Sequence, residues 1–290
     1  MKGLLKLLEV GGLASMLLIG KGETVEELDF SKFGVNIVSL EDKVKSHIDF
    51  GKWNNGRLDS LIKNSKDYED SGDRFDFISR KFLGIPYEGH TLIGDVGLKE
   101  KLVVNLEGMD CFTYLDYMMA LTHAEDSEDF IEKVKKVRYE DGDVDYSKRN
   151  HYLSFWLKNN PEYVEDVTGD VGNARSVWKN LNFMPIMNKG GDYSGFGTKY
   201  LPTVPVLSKY VHYIPSEFVG NAKLEKGDLI GLYVDYGFLD FDHMGVITKI
   251  DGKDYLRHAS SGYRKVVQVP LKDYLEALPQ FKGISVFRPK

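Results

Sequence analysis

A single cysteine stands at the predicted start of a helix, in the stretch Asn105-Leu-Glu-Gly-Met-Asp-Cys-Phe-Thr-Tyr-Leu-Asp-Tyr-Met-Met-Ala-Leu121. Asp110 is a favourable N-cap residue, and apolar side chains recur behind it at spacings of three and four. This pattern predicts an amphipathic helix over about 110–124. The positive end of the helix dipole favours the thiolate of Cys111, which is the nucleophilic form. A lone cysteine cannot form an internal disulfide, so Cys111 is either a nucleophile or a small buried apolar residue.

A hairpin is predicted close to the C-terminal end of the chain. Residues 242–250 and 253–259 have the composition of strands, and the dipeptide Asp251-Gly252 between them is typical of a two-residue β-turn. That turn fixes the register, and side chains alternate between faces along a strand, so we expect His243 and His258 on the same face. As diagonal neighbours, their Cα atoms would lie about 7–8 Å apart.

The two histidines meet the needs of a cysteine nucleophile. A thiol needs a base, and the base needs a group that holds its ring, roles that fit His243 and His258 respectively. Gly245, opposite His258 in this register, leaves room for the second ring to lean toward the first. The alternative is a pair of half-exposed strand histidines without a catalytic role. A three-residue turn would slip the register by one and send His258 to the opposite face, and the orienting group would then be another polar residue, such as Ser260 or Asp242.

Three segments, in this order, resemble the NlpC-type papain-like cysteine enzymes. They are Asn105-Leu with Met109-Asp110-Cys111-Phe-Thr, then Asp242-His243-Met-Gly-Val, and then Arg257-His258-Ala-Ser-Ser. The resemblance implies an α+β, papain-like NlpC-type fold, in which the catalytic cysteine at a helix N-terminus packs on an antiparallel β-meander that carries the histidines. It also implies that Cys111, His243 and His258 form the catalytic triad.

A middle block narrows the resemblance to the N-acetylmuramoyl-L-alanine amidase-like branch of that superfamily. The matching residues are Arg138-Tyr139 and Arg149-Asn-His151-Tyr152-Leu-Ser-Phe-Trp156, and the resemblance covers roughly residues 70–290. The segment Gly84-Ile85-Pro86-Tyr87 also resembles one that lies upstream of the cysteine in NlpC-like enzymes. This makes Tyr87 a candidate for the oxyanion or substrate side of the cleft.

The middle block also carries side chains suited to stack on a sugar or to bind a peptide carboxylate. Besides Tyr87, the candidates for substrate binding are Arg149, His151, Tyr152, Trp156 and Tyr200. A cluster of tyrosine and tryptophan is equally common in a hydrophobic core, and for Trp178 we favour the core.

The resemblance implies a cysteine-dependent amidase that hydrolyses peptidoglycan through an acyl-enzyme on Cys111 and cuts the amide between N-acetylmuramic acid and L-alanine. The closest alternative is a peptidoglycan endopeptidase that cuts the stem peptide between D-glutamate and the diamino acid. Acyl transfer to a nucleophile other than water is a further option. A catalytically silent wall-binding protein on the same fold would tolerate the loss of Cys111 or His243. The expected partner is peptidoglycan or a muropeptide, and the sequence leaves the oligomeric state open.

Composition excludes several other classes of protein. The net charge of −6 and the lack of a basic run argue against a nucleic-acid partner. The seven histidines show no HExxH-type spacing, so the sequence predicts neither a metal site nor a cofactor.

The N-terminal residues 1–25 are either a secretory signal or an N-terminal helix. Lys2 and Lys6 precede the apolar run Leu13–Ile19, as in a signal, whereas Glu9 interrupts the apolar region. A signal would place the protein in the periplasm or cell envelope, and without one it would be cytoplasmic. No other segment approaches the roughly 20 apolar residues of a membrane span.

Helices precede strands along the chain, which is typical of an α+β fold. A further helix is predicted over Ser127–Val137, and the C-terminal part is predicted to be an antiparallel meander. Its predicted strands are 228–234, 242–250, 253–259, 265–269 and 284–287. Residues 26–290 are therefore expected to form a single catalytic domain with a loop-rich insertion at about 138–215.

Overall fold

The computed structural model describes residues 48–183 and 201–290, together with two short strands near the N-terminus. The chain divides into two units, Met1–Ser46 and His47–Lys290. The second unit holds all the elements that carry the candidate site.

In the first unit, β1 (Lys6–Val10) and β2 (Leu13–Leu17) pair antiparallel, with Lys6 opposite Leu17. These segments are strands and not the helix that was one of the two expectations for residues 1–25. The secretory signal stays a prediction.

The described part of the second unit contains helices on both sides of the nucleophile segment. They are α1 (Asn55–Ser65), α2 (Ser71–Arg80), α3 (Cys111–His123), α4 (Ser127–Arg138), α5 (Leu153–Asn159), α6 (Thr168–Val171) and α7 (Leu271–Ala277). The predicted helices at 110–124 and 127–137 are thus confirmed as α3 and α4. Helix α7 was not predicted.

The strands of this unit are, in chain order, β3 (Ile48–Asp49), β4 (Ile93–Asp95), β5 (Leu98–Lys101), β6 (Val104–Asn105), β7 (Val164–Asp166), β8 (Arg175–Leu181), β9 (Leu207–Pro215), β10 (Leu229–Val234), β11 (Phe241–Ile250), β12 (Lys253–Ser260), β13 (Lys265–Pro270) and β14 (Phe281–Pro289). Eight of them form one antiparallel sheet in the order β13-β12-β11-β10-β14-β9-β8, with β7 paired to β14. The predicted α+β architecture with an antiparallel sheet is confirmed.

The predicted meander is confirmed for β10 to β13 but is wrong for the last strand. Strand β14 does not follow β13 in the sheet but lies beside β10, on the far side of the meander. Helix α7 and the turn after it separate β13 from β14 along the chain, so the two strands need not be neighbours.

The described parts of the middle block, 138–183 and 201–215, are more regular than the loop-rich insertion that was predicted for 138–215. They contribute α5, α6, β7, β8 and β9 to the fold. Trp178, on β8, pairs with Tyr210 on β9 in a T-shaped contact and is 51% exposed. The assignment of Trp178 to the core is therefore wrong.

Helix α3 is enclosed by neighbouring elements. Its residues from Thr113 to Thr122 are all buried, because the helix packs against α2 and α4 and also against β11 and β12. It is therefore not an amphipathic surface helix with one polar face. Its N-terminal end, with Cys111, meets the strands that carry the two histidines.

Arg257 ties strand β12 to helix α2 at the position next to His258. Its fully buried guanidinium donates to the Asp76 carboxylate at 2.9 Å and to the Ser79 hydroxyl at 2.6 Å. A charged group buried in this way is stable only with such partners. The contact holds the backbone of β12 against the helical layer.

Within the described ranges, no helix is both long and apolar enough to cross a membrane.

Candidate active site

The helix that begins at Cys111 is capped in the manner expected from the sequence. The Asp110 carboxylate accepts hydrogen bonds from the backbone N–H groups of Phe112 at 3.0 Å and Thr113 at 2.7 Å. The Thr113 hydroxyl accepts in return from the Asp110 N–H at 3.0 Å, which completes a capping box. This cap fixes the first turn of α3 and thereby the position of the partly buried Cys111.

The Cys111 sulfur lies against strand β11. It accepts a hydrogen bond from the backbone N–H of Met244, the residue that follows His243. Burial and the nearby carboxylates of Asp110 and Asp242 raise the pKa of the Cys111 thiol, and the backbone hydrogen bonds only partly oppose them. The thiolate favoured by the helix dipole alone is therefore not the resting form, because desolvation outweighs the dipole here.

The predicted hairpin register is confirmed over the paired residues. Ile250 lies opposite Lys253 and Val246 opposite Arg257, and the turn residues Asp251 and Gly252 have φ values of 48° and 75°. Positive φ at both central positions is the geometry of a type I′ turn. The turn thus selects the register that places the two histidines together.

His243 and His258 are in direct contact. The Nε2 atom of His243 and the Nδ1 atom of His258 are 2.5 Å apart, and the rings are nearly perpendicular. A Cβ atom at Gly245 would lie only 3.0 Å from the His258 Cβ, so the glycine provides the room that was predicted.

Burial keeps both imidazoles neutral at neutral pH. It lowers the pKa of His243 to about 4. It lowers the pKa of His258 to about 3, with a further contribution from His243. At rest, the thiol is therefore protonated and both imidazoles are neutral.

The hydrogen bond between the histidines decides which nitrogen of His243 can serve the thiol. Since Nε2 is bound to His258, Nδ1 is the nitrogen left for Cys111. A Cys111 Sγ to His243 Nδ1 separation within about 4 Å, as proton transfer requires, stays a prediction.

Tyr87 lies beside the nucleophile segment. Its backbone N–H donates to Arg264, and the residue forms a parallel bridge with Met109, two positions before Cys111. Burial, and then the proximity of Cys111 and Asp110, raise the pKa of Tyr87 to about 12. The predicted neighbourhood of Tyr87 and the thiol is thus present, and its role toward substrate stays a prediction.

Tyr274 belongs to the same cluster and was missed by the sequence analysis. Its ring centroid lies 4.9 Å from that of His258 and 6.4 Å from that of His243. The residue comes from the short helix α7, between the last two strands. A single tyrosine in a seven-residue helix gives no periodic signal, so nothing in the sequence pointed to it.

A cleft of about 500 Å³ runs from the start of α3 to the middle block. Asp110 and Phe112 line one end, and the lining includes three of the predicted substrate-binding residues, Arg149, His151 and Tyr152.

Two of these three cleft residues are held by other parts of the chain. Arg149 is paired with the buried Glu100 at 3.0 Å, and His151 Nε2 contacts the Tyr146 carbonyl oxygen at 2.7 Å. Both side chains are thus fixed at the wall of the cleft.

Trp156 does not line the cleft and is fully buried. Its indole N–H donates to Asp116 Oδ1 at 3.0 Å, while Arg138 Nε donates to Asp116 Oδ2 at 2.7 Å. With its one polar atom used in this way, Trp156 supports helix α3, and its prediction as a substrate-contacting residue is wrong. Tyr200, also predicted to bind substrate, lies outside the described residues.

A thiol at a helix start, held against the strand that carries one of two hydrogen-bonded histidines, is an arrangement suited to nucleophilic attack on a carbonyl group. The chain matches the AmiA-like, N-acetylmuramoyl-L-alanine amidase-like family over residues 77–284, and it belongs to that family.

Several solved structures are similar to this chain. An N-acetylmuramoyl-L-alanine amidase from Bacteroides uniformis is 29% identical, with a TM-score of 0.62, over 76% of this chain and 99% of that one. A Legionella pneumophila protein is 24% identical, with a TM-score of 0.66, over 88% and 97% of the two chains, and shares the fold. A Bacteroides fragilis protein named as a xylanase candidate is 29% identical, with a TM-score of 0.56, over 72% and 98%. No curated protein matches the chain. The family and the amidase structure support a hydrolase of the amidase type that acts on peptidoglycan.

Proposed function

We propose that this protein is a cysteine-dependent amidase that hydrolyses the amide between N-acetylmuramic acid and L-alanine in peptidoglycan or its fragments. The observation that carries the proposal is the hydrogen-bonded pair of His243 and His258, in which His243 directly precedes Met244, the residue whose N–H contacts the Cys111 sulfur. Membership of the amidase-like family supports the choice of substrate.

The resting protonation states define the first chemical step. Since the thiol pKa is raised and that of His243 is lowered, the proton rests on sulfur, and its transfer to His243 Nδ1 must accompany attack. The sulfur bonds to the muramoyl carbonyl carbon, and the resulting oxyanion can accept from the Cys111 backbone N–H at the helix start. His258 stabilises the imidazolium that forms on His243.

The second half of the reaction restores the site. His243 gives its proton to the nitrogen of L-alanine, the C–N bond breaks, and the muramoyl group remains on Cys111 as a thioester. A water molecule, deprotonated by His243, then attacks the thioester carbonyl, and the sulfur leaves and takes the proton back. The products are a free muramoyl carboxylate and a peptide with a free L-alanine amine.

We also propose that the fold is of the papain-like NlpC type. The order of cysteine, histidine and second histidine along the chain supports this placement, as does the packing of helix α3 against β11 and β12.

Mass spectrometry of muropeptides after digestion tests the proposal. Release of peptides that begin with L-alanine, lost in Cys111→Ala, is the expected result. A disaccharide that keeps L-alanine and D-glutamate would indicate the endopeptidase instead. Cleaved glycosidic bonds, or binding without cleavage, would refute an amidase, and an adduct formed with added amine would indicate acyl transfer.

We propose that residues 1–25 direct the protein to the periplasm or cell envelope, where intact peptidoglycan lies. The basic start and apolar run of the sequence support this. Fractionation should find a shortened protein outside the cytoplasm. Full-length protein found only in the cytosol would overturn this proposal and would favour recycled wall fragments as the substrate.

A further inference from the structure

The ring of Tyr274 is held in a fixed pose against the histidine pair. It meets the His258 ring in a T-shaped contact, with centroids 4.9 Å apart and an interplanar angle of 69°. It also stacks with Phe281 on β14, at 6.0 Å and 18°. Helix α7 and strand β14 thus present this aromatic ring to the buried His258.

His258 has one ring nitrogen with a partner and one without. Its Nδ1 contacts His243 Nε2, whereas its buried Nε2 has no hydrogen-bond partner among the described residues. A buried N–H without a partner carries a substantial free-energy cost. The face of an aromatic ring is electron-rich and can accept such an N–H.

The tautomer of His258 controls whether His243 can act as a base. If His258 carried its proton on Nδ1, it would donate to His243 Nε2, and the proton of neutral His243 would lie on Nδ1, which could then not act as a base. If His258 instead carries its proton on Nε2, then His243 Nε2 donates to His258 Nδ1. In that case the lone pair of His243 lies on Nδ1, the nitrogen proposed to take the Cys111 proton.

We propose that Tyr274 is a positioning residue whose ring accepts the Nε2–H of His258 and so selects the tautomer that makes His243 a base. The catalytic consequence of this tautomer rests on the proposed amidase function. Burial, and then the proximity of Cys111 and Asp242, raise the pKa of Tyr274, so the ring remains a neutral phenol beside His258.

Nitrogen-15 NMR of histidine-labelled protein tests the tautomer directly, without need of a substrate or a variant. We expect the Nε2 atoms of both His258 and His243 to be protonated in the wild-type protein at neutral pH. Protonation of His258 on Nδ1 would overturn the proposal. Because this measurement does not depend on turnover, the expected tautomers in a protein without amidase activity would refute only the proposed function.

Two variants at position 274 separate the effect of the aromatic ring from the effect of the hydroxyl group. Tyr274→Leu removes the aromatic acceptor, so we expect both tautomers of His258 and a kcat/KM lower by about fivefold. Tyr274→Phe keeps the ring, so we expect His258 to stay protonated on Nε2 and kcat/KM to remain close to the wild-type value.

The control is Leu275→Ala on the same helix, which removes buried packing beside Tyr274 but leaves the aromatic ring in place. We expect it to lower thermal stability while leaving the His258 tautomer unchanged. A wild-type tautomer in folded Tyr274→Leu would overturn the proposal, as would a failure of Tyr274→Phe to rescue. If Tyr274→Leu does not fold, the wild-type NMR measurement still decides.

Discussion

Gly245→Ala should disturb the hydrogen-bonded pair of His243 and His258 with a single added methyl group. The new Cβ would lie 2.7 Å from the Arg257 carbonyl oxygen, 2.8 Å from Leu256 Cδ1 and 3.0 Å from His258 Cβ. An ordinary contact needs at least 3.4 Å, so strands β11 and β12 must separate locally by about 0.7 Å. Only the leucine terminus can move easily, because the other two atoms are fixed by the backbone.

The magnitude of the Gly245→Ala effect follows from these contacts. Overpacking of this kind costs about 1–3 kcal/mol, which corresponds to a melting temperature lower by about 2–12 °C. The same shift lengthens the 2.5 Å contact between His243 and His258. A hydrogen bond to a charged group contributes about 1.5–3 kcal/mol, so its loss when the imidazolium forms should lower kcat/KM by about tenfold or more.

Thermal unfolding and muropeptide turnover measure the two effects separately. The matched control is Gly220→Ala, where an added Cβ would have no atom within 4 Å. We expect this control to keep both the melting temperature and kcat/KM. A Gly245→Ala protein with wild-type values for both would show that the close approach of the strands at this glycine does not position the histidines.

Asp242→Asn should lower the pKa of the Cys111 thiol, because the carboxylate is one of the groups that raise it, and should therefore speed iodoacetamide labelling at neutral pH. An unchanged rate would contradict that electrostatic contribution. The melting temperature should fall as pH drops from about 6.5 to about 4, because the unfolded chain gains a proton at His243 that the folded chain, with the pKa lowered to about 4, does not. A His243→Gln variant should show a shallower fall over that window, and an identical slope would refute the assignment. Arg138→Met should destabilise the protein by about 3–5 kcal/mol in denaturant titrations, since it leaves Asp116 buried without its ion pair. Adding Asp116→Leu should restore much of that loss, and no restoration would mean that packing rather than charge is responsible.

The parts of the fold set by local chemistry could be predicted from the sequence. Asp251-Gly252 determines a turn, the turn determines a register, and the register brings His243 and His258 to one face. Asp110 likewise marks the start of α3 through its own cap. In each case the deciding residues are close together along the chain, so the local sequence pattern is sufficient to predict the structure.

The failures come from contacts between distant segments. The position of β14 beside β10 is set by sheet packing, and the pose of Tyr274 depends on where β14 and α7 meet. Trp156 was expected to contact substrate but is buried, and Trp178 was expected in the core but is exposed. The burial of an aromatic residue depends on which segment covers it. The thiol pKa was misjudged for the same reason, since the dipole is local but desolvation comes from the whole surroundings.

The place of β14 in the sheet has a consequence for the order in which the protein can be made. A chain is synthesised from its N-terminus, and β14, Phe281–Pro289, is an interior strand that pairs with β10, β9 and β7. Until β14 emerges, the edge of β10 is unpaired, and β8 and β9 have no partner that joins them to the hairpin. We therefore expect a nascent or truncated chain that lacks this strand to remain without a closed sheet, and the assembly of Cys111 with its histidines to wait for β14.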